Sequence, residues 1–180
     1  MKTWFTADLH FGHANIIRFC SRPFGSVEEM DACLIDNWNS CVARNDRVIV
    51  VGDFAYRIEE RRLRAIFGKL NGQKALVIGN HDNAATLALP WAMPPRDILR
   101  IRVDDETVVA CHYALRDWPG REAVHVYGHA HGTLPGNARS LDVGVDCWNY
   151  RPVTLAEVQA RLVALPPDSD RDPNTSRPSL

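Results

Sequence analysis

The residues with chemistry to offer are histidines and carboxylates that follow short apolar runs. At one such place the chain reads Gly79-Asn80-His81-Asp82, directly after the apolar run 75–78. An amide oxygen, an imidazole and a carboxylate at the end of a buried segment cost free energy unless something there uses them. Four other places repeat the pattern: Asp8-Leu9-His10, Gly52-Asp53, Cys111-His112 and Gly128-His129-Ala130-His131. In extended backbone, residues two apart share a face, so Asp8 pairs with His10 and His129 with His131. Taken alone, Asp8-x-His10 reads as readily as a solvated loop, and a lone histidine such as His112 is more often packed in a core than bound to an ion. Five strand ends that each deliver such groups form a pattern that neither bland reading explains.

Together Asp8, His10, Asp53, Asn80, His112, His129 and His131 offer two carboxylates, one amide oxygen and four imidazoles, with no thiolate. That donor set suits divalent first-row metals of intermediate hardness, such as manganese, iron, zinc, nickel or cobalt, with manganese the one expected. It is too large for one ion that must keep open positions. It suits two ions sharing a bridging carboxylate, and such pairs, about 3.5–4 Å apart, clamp the attacking and leaving oxygens of a phosphoryl group.

The elements that must position these groups are short. Residues 3–7, 47–51 and 75–78 read as buried strands. Residues 98–103 and 107–110 read as a hairpin around the polar turn 104–106, expected to start an antiparallel half. Residues 123–127 and 139–145 read as two more strands, the second broken by Gly144. Between them lie helices. A short one is expected at 14–20. A longer one, opened by a capping box of Ser26 and Glu29, is expected to run to residue 43. Met30, Cys33, Leu34, Asn37, Trp38 and Cys41 give it a core face at spacings of three and four. Residues 58–70 read as a basic helix with a solvated arginine face paired to Glu59 and Glu60. Residues 83–88 read as a helical turn, and a Thr154/Glu157 capping box opens a last helix to residue 165. Strands that alternate with helices imply an open α/β arrangement, in which ligands bind at the carboxyl ends of the strands. His125 falls in mid-strand and is expected to be structural. His13 is placed either to touch a substrate phosphate or to cap the helix that follows it. Arg57, four residues after Asp53, is placed to reach a phosphate.

Composition bounds the rest. The 180 residues suit a single domain with a sizeable core, 46% hydrophobic and 24% charged. A net charge of −1 argues against an extended nucleic-acid footprint while leaving room for a small local one. No apolar run is long enough to span a bilayer, and the first residues reach Asp8 too soon for a secretory leader, so no membrane role is expected. The five cysteines form no CxxC pair, which favours reduced thiols and a cytoplasmic location. A domain over 1–165 is expected, with a disordered tail from 166 to 180.

The ordered series Asp8-x-His10, Gly52-Asp53, Gly79-Asn80-His81-Asp82, His112 and Gly128-His129-x-His131 resembles the calcineurin-like metallophosphoesterase superfamily. The run from Phe5 to Phe24 resembles its small, compact bacterial branch. The resemblance implies a four-layer α/β/β/α sandwich of two mixed sheets, with the metal site at the strand C-terminal ends. It implies that Asp8, His10 and His131 hold one divalent ion, that Asn80, His112 and His129 hold the second, and that Asp53 bridges them. A hydroxide shared by the metals would then attack phosphorus in line. By the same resemblance His81 stabilises or protonates the leaving oxygen, and Asp82 orients His81; Asp82 is equally suited to cap the helix that follows. After Gly52-Asp53 the chain reads Phe54-Ala55-Tyr56, without the histidine of the double-strand-break nucleases and without the Asp-Arg-Gly of the protein Ser/Thr phosphatases. The expected function is hydrolysis of a phosphodiester, the substrate a nucleotide or nucleic-acid end. The alternatives are a phosphomonoesterase on a small metabolite or phosphoprotein, and an inert scaffold of the same fold. No obligate protein partner is expected.

Overall fold

The computed structural model describes residues 1–168. Two four-stranded sheets carry the fold. In the first, β1 (Thr3–Thr6), β2 (Arg47–Val51) and β3 (Gln73–Val77) run parallel, and β8 (Val153–Thr154) pairs antiparallel to β1. In the second, β5 (Glu106–Cys111), β6 (Val124–Tyr127) and β7 (Ser140–Asp142) run parallel, and β4 (Ile98–Val103) is the antiparallel edge. The antiparallel half expected from the hairpin is therefore confined to β4 and β5. The chain returns from β5 to β6 and from β6 to β7 by crossovers, which keep those strands parallel.

Register and the two-residue period decide what faces what. Phe5, Ile49 and Ala75 lie in one row, and with Ala7, Val51 and Val77 they pack against Val108, Ala110, Val124 and Val126 of the second sheet. The opposite face of the first sheet, through Trp4, Val48, Val50 and Leu76, packs on helices α2 (Val27–Cys41) and α3 (Glu60–Lys69). The layers are thus helices, sheet and sheet, with a thin outer layer. The far face of the second sheet is covered largely by the coil between β5 and β6, where Trp118 packs on Val109 and Ala123. Helix α5 (Leu155–Leu162) closes the edge between the sheets with Leu155, Val158 and Leu162.

Local chemistry sets the helix bounds. Ser26 caps α2 by accepting from the Glu29 N–H, but the Glu29 carboxylate accepts from Gly25 rather than from Ser26, so the expected capping box closes one residue early. Met30, Leu34 and Trp38 form the buried stripe of α2, while Cys33, Asn37 and Cys41 are only half-buried. The helix expected from residue 58 starts at Glu60, because the Glu59 carboxylate accepts from the Arg61 and Arg62 N–H groups and serves as its cap. The Thr154/Glu157 capping box forms as expected, although α5 stops at Leu162. The strand expected over 139–145 ends at Asp142, and Val145–Cys147 winds into a 3₁₀ turn. Short helices α1 (Ala14–Phe19) and α4 (Ala84–Leu87) complete the elements of the described residues, among which no helix is long and apolar enough to cross a membrane. Of the tail expected from residue 166, residues 166–168 carry no regular structure and the remainder lies outside the described residues.

Candidate metal centre

Six strand ends meet along one edge, where the two sheets come together. The loop after β1 brings Asp8 and His10, that after β2 Asp53, and that after β3 Asn80 and His81. The loop after β5 brings His112, and that after β6 His129 and His131. Main-chain bonds lash the first two loops side by side: the Asp8 N–H donates to the Gly52 carbonyl at 3.1 Å and the His10 N–H to the Asp53 carbonyl at 3.0 Å. The approach is close enough to require glycine. A side chain on Gly52, at φ +88°, would overlap the His112 ring, and one on Gly79 would overlap the Asp53 carboxylate.

Two groupings of donor atoms result. One ligand atom each from Asp8, His10 and His131 lie within 4.8 Å of one another, and so do atoms of Asp8, Asp53 and His112. Asn80 Oδ1 stands 3.0 Å from both His112 Nε2 and His129 Nδ1. Asp53 Oδ2 lies 3.5 Å from His10 Nε2 and 3.5 Å from His112 Nε2. All seven predicted ligands therefore reach one edge of the molecule.

The donors fit cations. His10 is 1% exposed, and neither of its ring nitrogens has a hydrogen-bond partner. Buried polar atoms left unpaired are costly and point to a group that pairs them. His112 donates its Nδ1–H to the Val51 carbonyl at 2.9 Å, which leaves Nε2 as a lone pair facing the Asn80 and Asp53 oxygens. Three lone-pair atoms at that spacing need a proton or a metal ion among them. The backbone adds a second sign. Asp8, His10, Asp53, His129 and His131 all sit in the left-handed region, at φ 56°, 52°, 56°, 65° and 47°. For residues with a Cβ this costs about 1–3 kcal/mol each, and strain of that kind collects at functional sites.

The electrostatics of these side chains follow from burial and crowding. Burial pushes Asp8 up to about 7 and drives His10 down to about 2. Burial alone would raise Asp53 and lower His112, but the contact between the two reverses both, holding Asp53 at about 2 and lifting His112 to about 9.

The carboxylate of Asp82 has a different task from either one expected. Its oxygens accept N–H bonds from Gly79, Asp53 and Phe54 at 2.8, 3.0 and 2.9 Å, so it clamps the β2 and β3 loops together instead of hydrogen-bonding the His81 ring. The cap of α4 is Asn83. His81 donates its own N–H to Asp53 Oδ1 at 2.9 Å, and its Nε2 is 3.9 Å from Asp53 Oδ2. His13 stands at the start of α1 but makes no side-chain cap bond; its ring packs 4.1 Å from that of Tyr56 and faces the same pocket as His10, His81 and Arg57. His125 is structural, held between the Val109 carbonyl and the Leu115 N–H.

Sequence reading missed the sixth strand end. The turn after β7 carries Asp146, whose Oδ2 accepts from His131 Nδ1 at 2.8 Å and so leaves the other ring nitrogen for a metal. Asp146 is itself held by Arg22 through two bonds of 2.8 Å, and the same guanidinium donates to the Asp8 and Leu9 carbonyls at 2.7 and 3.2 Å. Cys20 Sγ and donor atoms of His131 and Asp146 lie within 4.8 Å of one another, but the Arg22 cation already neutralises that carboxylate. Asp142 accepts from the Gly132 and Gly144 N–H groups and fixes the loop that bears His131. The signal for this end was present: Asp142-Val143-Gly144-Val145-Asp146 repeats the strand, glycine and carboxylate order of Gly52-Asp53.

The chain is similar to several known proteins. An uncharacterised protein of Methanocaldococcus jannaschii is 31% identical over 162 residues, covering 86% of this chain and 87% of that protein. The gene 66 protein of Mycobacterium phage L5 is 37% identical over 185 residues, covering 82% of this chain and 87% of its own. A protein of unknown function from Aquifex aeolicus shares the fold, with a TM-score of 0.70 at 18% identity over 89% of this chain and 98% of that one. A family model described as calcineurin-like phosphoesterase matches residues 1–153, a span that contains every strand end from Asp8 to Asp146. By that match the chain belongs to the calcineurin-like phosphoesterases, metal-dependent enzymes that act on phosphate esters, and it carries groups of His and Asp side chains able to hold a metal ion.

Proposed function

We propose that the chain hydrolyses phosphodiesters at a centre of two divalent metals. The observation that carries this is the place of Asp53, whose Oδ2 lies 3.5 Å from His10 Nε2 and 3.5 Å from His112 Nε2, one nitrogen from each proposed set. A carboxylate oxygen equidistant from two donor sets suits a bridge. Asp8, His10 and His131 would hold one ion with Asp53, and Asn80, His112 and His129 would hold the other. Mixed nitrogen and oxygen donors suit manganese, with iron, zinc, nickel and cobalt as alternatives. Two cations held there would lower the pKa of a water that serves as nucleophile and would neutralise charge on the phosphate.

The chain's own groups supply the rest. His81 lies beside Asp53 and lines the adjoining pocket, so it can give a proton to the leaving oxygen. Its main-chain bond to Asp53, and the clamp that Asp82 makes on Gly79, hold it there. Asn80 and His129 are exposed. An open edge leaves room for a second ester group on phosphorus, which supports a diester over a monoester.

The test compares His81→Ala with wild type on diesters of graded leaving-group pKa. The variant should keep its metal and lose about 10²–10⁴-fold in turnover, the range typical of general acid catalysis. The loss should be greatest for the poorest leaving group. Equal losses across the series would remove His81 as the proton donor.

A further inference from the structure

Beside the centre opens a pocket of about 570 Å³, well inside the roughly 300–1,000 Å³ of ligand sites. His10, His81 and His131 line it on the side of the candidate centre. Because His81 stands at that boundary, the pocket lies where the leaving group of the proposed reaction must go. No carboxylate is among the described residues that line it, and Arg57 adds a guanidinium, so its charge suits an anion.

Its outer part is aromatic. Phe19, 63% exposed, presents its ring at the pocket and is flanked by the Arg18 guanidinium 5.3 Å from the ring centre. Arg57 lies 5.2 Å from the centre of the Tyr56 ring. Tyr56 in turn packs 4.9 Å from the His81 ring. A single exposed phenylalanine on a short helix is ordinary. Two aromatic rings, each with its own arginine, at the mouth of one pocket free of carboxylates form a surface for a flat, negatively charged group.

We propose that this pocket receives a nucleotide leaving group, its base against Phe19 and its anionic group at Arg57. The proposal rests on the phosphodiesterase reading and names the substrate class. In the step itself, a water oxygen bonds to phosphorus and the bond from phosphorus to the ribose oxygen breaks. That oxygen then takes a proton, and the products are a phosphomonoester and a nucleotide with a free hydroxyl.

The test is calorimetric binding of adenosine 5′-monophosphate and of ribose 5-phosphate to the manganese-loaded protein, with turnover of bis-p-nitrophenyl phosphate followed in parallel. The nucleotide should bind about five- to 150-fold tighter than the sugar phosphate, the range that stacking of a base on an aromatic side chain supplies. Phe19→Ala should bring that ratio close to one while the sugar phosphate still binds. Arg57→Ala should weaken both ligands and keep the ratio. Equal binding of the two ligands by the wild type, or a ratio that survives Phe19→Ala, overturns the assignment even where the diester is cleaved. If no ester is cleaved with any metal and the ratio behaves as described, the proposed reaction falls and the nucleotide pocket stands.

Discussion

Asp8 and His112 show what the ligand residues cost the protein when no metal is bound. Asp8, pushed up to about 7 by burial, keeps a proton close to neutrality, and His112, lifted to about 9 beside Asp53, keeps one well above it. A metal must displace both, because only the carboxylate and the neutral imidazole bind it. The sign follows directly. Below each pKa the proton competes with the ion, so affinity should tighten as pH rises through about 7 and again toward about 9. A calorimetric manganese titration at pH 8, run in buffers of different ionisation enthalpy, should show at least one proton released per chain, with His112 among the sources. Affinity at pH 6 should be weaker. Zero proton release, with the same affinity at both values, would contradict this picture of the centre.

At the scale of elements, the centre depends on loops holding one another. Arg22, from the segment between α1 and α2, grips Asp146 after β7 and the carbonyls of the β1 loop in a single buried guanidinium. Asp31 on α2 accepts from the Gly12 N–H at 3.0 Å and from Arg62 of α3 at 2.7 Å, tying both helices to the β1 loop. Asp146→Asn should keep the fold, since the amide fills the same space, but weaken the hold on His131. Manganese affinity should fall roughly 10–100-fold, as is typical when a partner that orients a metal-binding histidine is lost. Unchanged affinity would make the Arg22–Asp146–His131 chain merely structural. These braces were not legible in the sequence for a physical reason. A ligand such as His112 is announced by the apolar strand just before it, whereas Asp31 is polar on an otherwise apolar face and Arg22 finds its partner 124 residues away. Asp82 was visible as a polar residue, but its partners are main-chain N–H groups of two separate loops, which carry no side-chain signature.

At the scale of the molecule, each sheet is three parallel strands with one antiparallel edge, and the parallel strands send their carboxyl ends to the same seam. Strand runs such as 47–51 were readable because both faces are buried and every residue is apolar after the first. The crossover from β5 to β6 was not readable as a covering layer, because it is coil anchored by one tryptophan. What the whole arrangement predicts is two metals on one carboxylate. The direct measurement is bis-p-nitrophenyl phosphate turnover against metal content, as metal-stripped protein is resupplied with manganese in steps and its bound metal counted. Turnover should rise with the second ion and level off at about two per chain, and Asp53→Asn should bind fewer ions and lose turnover at every loading. Full turnover at one ion per chain, or near-normal turnover in Asp53→Asn, would contradict the two-metal account.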